Sequence, residues 1–127
     1  MKKVVETDQA PDAIGPYSQG VSRGGFLFVS GQIPVDPVSG KLVDGGISAQ
    51  TEMVLKNLRG VIEGGGSSLD RILKTTVYMV DLKEFKEMNR VYGEFFGKNP
   101  PARATVEVVA LPLGSRVEID AIAFISS

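Results

Sequence analysis

Residues 71–110 read RILKTTVYMVDLKEFKEMNRVYGEFFGKNPPARATVEVVA. The first ten are a run of β-branched and aromatic residues, which suits a strand. Asp81 and Glu84 then stand at the spacing of a capping box, and Val80 and Phe85 can staple the start of a helix. Phe85, Met88, Tyr92, Phe95 and Phe96 recur at helical spacing, and Gly97 and Pro100 stop the run. After Pro100-Pro101 the period changes to two. Ala104, Val106 and Val108 share one face of a strand, and Arg103, Thr105 and Glu107 share the other.

The rest of the chain extends this strand, helix, strand passage in both directions. KKVVE (2–6) predicts a short first strand, and APDAIGPYSQG (10–20) a loop broken by Pro11, Gly15 and Pro16. YSQGVS (17–22) and FLFVSG (26–31) predict two strands joined at Arg23-Gly24-Gly25, a hairpin signal. QIPVDPVSGKLVDGG (32–46) is a loop. A first helix follows, with Ser48 expected at its N-cap and Glu52 in its first turn. Val54, Leu55, Leu58, Val61 and Ile62 form its apolar stripe, and Gly64-Gly65-Gly66 end it. RVEIDAIAF (116–124) predicts the last strand, after a turn at Leu113-Gly114-Ser115. The order β-β-β-α-β-α-β-β predicts one α+β domain over residues 1–127, with two helices on one face of a mostly antiparallel six-stranded sheet.

Two helices cover only one face of such a sheet. Yet FLFV and TVYMV carry apolar residues on both parities, and Ile122 and Phe124 share the parity of Arg116 and Glu118. The second face needs a cover, and the economical cover is another copy of the chain.

Composition narrows the chemistry. There is no Cys and no His, so thiolate catalysis, disulfides and the commonest metal ligands and acid–base groups are excluded. The net charge is −1 with no run of like charges, so nothing points to nucleic acid or an anionic membrane. No segment is apolar enough to span a bilayer, and MKKVVETDQAPD (1–12) has no signal-peptide pattern, so a cytoplasmic location is expected. VDPVSGKLVDGG (35–46) lacks the alternate ligands of an EF-hand, and GGGSS (64–68) lacks the Lys-Ser/Thr of a phosphate loop; both read as turns.

Taken one at a time, the polar candidates have plain readings. Tyr17 packs after the Gly15-Pro16 turn, Ser30-Gly31 serves a strand end, Asn89 is a structural amide, and Glu118 between Val117 and Ile119 is a surface residue. Arg103 is either a solvated strand end or a guanidinium fork held on a rigid element for an anion.

In combination the residues say more. IGPYSQG (14–20), VSGQIP (29–34), NRVYGEFF (89–96), PPARATVEV (100–108) and RVEIDAIA (116–123) occur in this order. Together they resemble the Rid family of reactive-intermediate deaminases, RidA or YjgF-like, from about Pro11 to Phe124. The resemblance implies a chorismate-mutase-like fold and a homotrimer with three clefts between subunits. It also implies hydrolysis of 2-iminobutanoate and 2-iminopropanoate, formed when pyridoxal-phosphate enzymes dehydrate threonine or serine, to 2-oxo acids and ammonia. By the same resemblance Arg103 binds the substrate carboxylate and Glu118 holds the attacking water. Tyr17, Ser30, Gly31 and Asn89 line the cleft, with Tyr17 counted among the catalytic groups. Thr105 stands where many relatives have cysteine, and that position is expected to act mainly through its backbone.

Such chemistry needs neither His nor Cys. A 2-iminium acid is already electrophilic, a guanidinium matches a carboxylate bidentately, and a glutamate of suitable pKa can take a proton from water. No metal or organic cofactor is expected. Two other readings remain at this level: an endoribonuclease, and a non-catalytic binder of small carboxylates.

Overall fold

The computed structural model describes residues 1–125. Strands β1 (Lys3–Val5), β2 (Gly20–Arg23) and β3 (Phe26–Gln32) come first, followed by helix α1 (Gly46–Gly64) and β4 (Ile72–Met79). Helix α2 (Phe85–Phe96), β5 (Ala102–Glu107) and β6 (Val117–Phe124) complete the order. The strands form a single six-stranded sheet in the spatial order β1-β2-β3-β6-β4-β5. Every pairing is antiparallel except β4 with β5, which are joined by α2 as a crossover. This is the α+β architecture expected from the order of the elements.

Local chemistry explains most of the element ends. Gly24 and Gly25 both adopt positive φ, 62° and 82°, which a two-residue hairpin between β2 and β3 requires and which side chains resist. In α1 the stripe Val54, Leu55, Leu58, Val61 and Ile62 is wholly buried. Each such side chain contributes roughly 1.5–3 kcal/mol of apolar burial. It packs on Leu27 and Val29 of β3, Val77 and Met79 of β4, and Val117, Ile119, Ala121 and Ala123 of β6. Met88 and Tyr92 of α2 join the same core.

Two expected caps are built differently. The N-cap of α1 is Gly45, at φ 113°, with no side-chain cap. Ser48 lies inside the helix, where its hydroxyl donates to Glu87 Oε1 of α2 at 2.7 Å and ties the two helices together. Asp81 caps a short 3₁₀ turn over Leu82–Glu84 by accepting from the Lys83 N–H. Glu84 does not reach back to complete a capping box; it forms a bidentate pair with Arg116 at 2.9 and 2.7 Å. This ion pair, between residues distant in sequence, outcompetes the local capping bond because a planar fork meets both carboxylate oxygens at once.

The face away from the helices carries exposed apolar side chains, as the double parity implied. Phe26, Phe28, Val106 and Phe124 remain 46, 50, 42 and 39% exposed. Among the described residues no helix is long and apolar enough to cross a membrane.

Candidate active site

The site begins with an irregularity in β3. Pairing with β6 runs regularly from Phe26 to Val29 and then shifts register before Gln32. The shift falls on Ser30-Gly31 and opens the ladder there, as bulges beside functional sites do. Across the gap lies Glu118. A Cβ built at Gly31 would stand 2.8 Å from Glu118 Cδ and would overlap Oε2. Gly31 is therefore required by space: the carboxylate of Glu118 occupies the volume where any other residue would carry its side chain.

Glu118 is half-buried rather than a surface residue, which corrects the reading of its strand in isolation. Burial pushes its pKa up, and the neighbouring charge of Asp120 adds to the rise. Asp120 itself accepts a hydrogen bond from the Tyr78 hydroxyl at 2.9 Å. Glu118 thus holds its proton to higher pH than an ordinary glutamate, the behaviour expected of a group that trades protons with a reactant.

Glu118, Gly31, Ser30 and Tyr17 line one cleft of about 540 Å³, with Ile14 and Leu113 as apolar walls. Ser30 donates its hydroxyl to the Ser18 carbonyl at 2.6 Å, and its N–H to the Gln19 carbonyl at 2.9 Å. These bonds clamp the Tyr17 segment to β3. Tyr17 is 54% exposed, so it does not pack as a core aromatic; its N–H donates to the Gly15 carbonyl in a tight turn. A larger hollow of about 860 Å³ on another side of Tyr17 is lined by Glu6, Asp8 and Asp12 with no lysine or arginine, surroundings that repel an anionic ligand.

Arg103, Thr105 and Asn89 lie elsewhere in the chain. Arg103 and Thr105 are in register with the buried Thr75 and Val77 of β4, so they face the helices. Glu118 alternates with the buried Val117 and Ile119 and faces the opposite side. β5 is an edge strand, and Arg103 on it is half-buried. The Arg103 guanidinium carbon lies 4.7 Å from the ring centre of Tyr92 and 5.5 Å from that of Phe85. Among the described residues no carboxylate pairs with it. Asn89 lies one helical turn from both rings and is half-buried. The Thr105 hydroxyl is buried without a hydrogen-bond partner among the described residues. One chain therefore carries two groups on opposite faces of its sheet: Arg103, Thr105 and Asn89 on one, and Glu118, Gly31, Ser30 and Tyr17 on the other.

Two supporting residues escaped the sequence reading. The buried Gln19 side chain bonds the Thr7 N–H and the carbonyls of Thr7 and Pro11, at 2.7, 3.0 and 2.8 Å, and straps the loop before Tyr17. Asn57 on α1 donates to the carbonyls of Ile33 and Val35 at 3.1 and 2.8 Å and holds the loop beyond β3. Asn57 interrupts an apolar stripe, which is the one signal that could have marked it. Among the described residues no cluster of three or more His, Cys, Asp or Glu could hold a metal ion.

Comparison with known proteins agrees with this fold. A family model described as endoribonuclease L-PSP matches residues 7–125. A RutC family protein of Pyrococcus horikoshii is 49% identical over 124 residues, covering 98% of each chain. The human 2-iminobutanoate/2-iminopropanoate deaminase is 43% identical over 123 residues, covering 97% of this chain and 90% of that protein. E. coli TdcF, solved with bound serine, superposes with a TM-score of 0.94 at 41% identity, covering 98% of this chain and 99% of its own. A solved protein of Yersinia pestis described as a conserved Rid family member is 46% identical with a TM-score of 0.94, covering 98% of this chain and 100% of its own. With the fold, the length of the match and the ordered motifs in agreement, the chain belongs to the Rid family.

Proposed function

We propose that this chain hydrolyses short-chain 2-imino acids, such as 2-iminobutanoate and 2-iminopropanoate, to 2-oxo acids and ammonia. The observation that carries the reading is Glu118: a half-buried carboxylate with raised proton affinity, seated against Gly31 in a cleft. The names of the mammalian relatives support it.

In this reading Arg103 grips the substrate carboxylate with two parallel N–H donors. Glu118 accepts a proton from water as the water oxygen bonds to C2, and the electron pair of the C=N bond moves to nitrogen. The same proton then passes to that nitrogen, the C–N bond breaks as the C2 hydroxyl gives its proton to the freed Glu118 carboxylate, and ammonia leaves with C2 now a carbonyl; the departing ammonia takes that proton and restores the carboxylate. One imino acid and one water give one 2-oxo acid and one ammonia. The substrate supplies the electrophile, so positioning provides much of the acceleration. Tyr17, Ser30, Gly31 and Asn89 shape the cleft, with Thr105 beside Arg103. The cleft is completed by a second copy of the chain, because Arg103 and Glu118 face opposite sides of one sheet while the apolar side is exposed. The reading thus includes a homotrimer with sites between subunits, located in the cytoplasm.

The test is imine hydrolysis, with the imine generated in situ by a threonine dehydratase. Glu118→Gln keeps size and hydrogen bonding but cannot take the proton. Its turnover should fall while 2-oxobutanoate still binds; unchanged turnover would identify a binder of carboxylates instead. The description of the matching family model favours a second reading, endoribonuclease. RNA cleavage by highly purified protein that disappears in Arg103→Ala would establish that activity.

A further inference from the structure

We propose that Tyr92, held by Thr75 and assisted by Phe85, is the positioning residue that presents Arg103 to a carboxylate. The inference rests on the reading of Arg103 as the substrate's anchor, and adds what holds that anchor in place.

An arginine on an edge strand would normally be steered by an acidic neighbour. Here the guanidinium lies over two aromatic rings, with no carboxylate partner among the described residues. The difference matters chemically. A paired carboxylate would occupy the N–H donors, whereas aromatic rings attract the cation through their faces and take no strong N–H···O bond. The fork is restrained, and among the described residues no carboxylate occupies its donors.

Tyr92 is itself fixed. Its ring is buried, at 5% exposure, and its hydroxyl lies 2.7 Å from Oγ1 of the fully buried Thr75. Thr75 is the residue of β4 in register with Arg103 of β5. Phe96 packs on the same ring with centroids 4.6 Å apart. β4 therefore fixes the ring on α2, and the ring restrains the guanidinium on β5, across the one parallel pairing of the sheet. The apolar stripe of α2 explains why an aromatic residue stands at position 92. It does not explain the hydroxyl, which a core phenylalanine would lack and which shares a hydrogen bond with the Thr75 hydroxyl.

The experiment measures 2-oxobutanoate binding by calorimetry beside imine turnover, for Tyr92→Leu, Tyr92→Phe, Phe85→Leu and Arg103→Ala. Tyr92→Leu should weaken 2-oxobutanoate about 3- to 30-fold, the range of a partly desolvated cation–π contact. KM for the imine should rise alike while kcat stays within about twofold, because the carboxylate is held equally in ground and transition states. Tyr92→Phe keeps the ring and should recover most of the affinity. Phe85→Leu, at a more exposed and more distant ring, should weaken binding about 2- to 5-fold. Should Tyr92→Leu fail to fold, Phe85→Leu carries the test. A lower melting temperature with unchanged affinity in both leucine variants, while Arg103→Ala has lost binding, would overturn the positioning role and leave the proposed function standing. Full binding and turnover by Arg103→Ala would instead overturn the proposed function itself.

Discussion

Gly31→Ala places one methyl group where the proposed mechanism has no room for it. An added Cβ would stand 2.8 Å from Glu118 Cδ and 3.1 Å from Cγ, against 3.4 Å or more for an ordinary contact. The Cδ must retreat by roughly 0.6 Å, and Oε2, which is closer still, by more. The backbone gives no reason for the fold to suffer, since Gly31 is not among the positive-φ glycines. Replacing it with alanine also reduces the entropy of the unfolded chain, worth about 0.4–1 kcal/mol. The side chain that yields is the end of a flexible glutamate, so the melting temperature should move by only a few degrees. Catalysis is far less forgiving. A misplacement of about 1 Å costs on the order of 10²-fold in rate, close to 2.7 kcal/mol of barrier. The assay follows removal of imine generated in situ by threonine dehydratase, with Gly93→Ala as control. A Cβ at Gly93 meets nothing within 4 Å, so that variant should behave as wild type. A folded Gly31→Ala protein that hydrolyses imine at the wild-type rate would refute the claim that Glu118 acts from its seat against Gly31.

Arg103→Ala should cost about 1.5–3 kcal/mol, or one to two decades in kcat/KM, and Arg103→Lys should recover little because an ammonium lacks the planar fork. Light scattering coupled to size exclusion should report three times the 13.6 kDa chain mass; a stable monomer at micromolar concentration would remove the partner half of the cleft. Glu118 must be ionised to accept a proton and its pKa is raised, so kcat/KM should fall with acidification at a pH above the usual glutamate value of 4.5. Asp120→Asn removes one cause of that rise, and its acid limb should lie at lower pH than that of the wild type.

Much of this protein is legible from local pattern. Periods of two and 3.6 are properties of neighbouring residues, so the order of strands and helices, the stripe of α1 and the hairpin at Gly24-Gly25 follow without knowledge of distant contacts. The uncovered apolar face follows too, because residues of both parities in one strand must meet two different surroundings. The motifs from IGPYSQG to RVEIDAIA point to the family on the same terms. Capping was less legible. Ser48 has the chemistry of an N-cap, but α1 begins at Gly46 and a glutamate on α2 takes its hydroxyl.

What only the tertiary structure decided is where the candidate groups stand relative to one another. Glu118 looks solvated in its own strand; the register shift at Ser30-Gly31 makes the space it fills. Arg103 and Glu118 each sit on a definite face of a strand, yet no sequence pattern says whether those faces coincide. The parallel register of β5 with β4, and the antiparallel register of β6 with β4, set them on opposite sides. The physical reason is that alternation fixes which residues share a face within one strand, while pairing between strands fixes which face meets which.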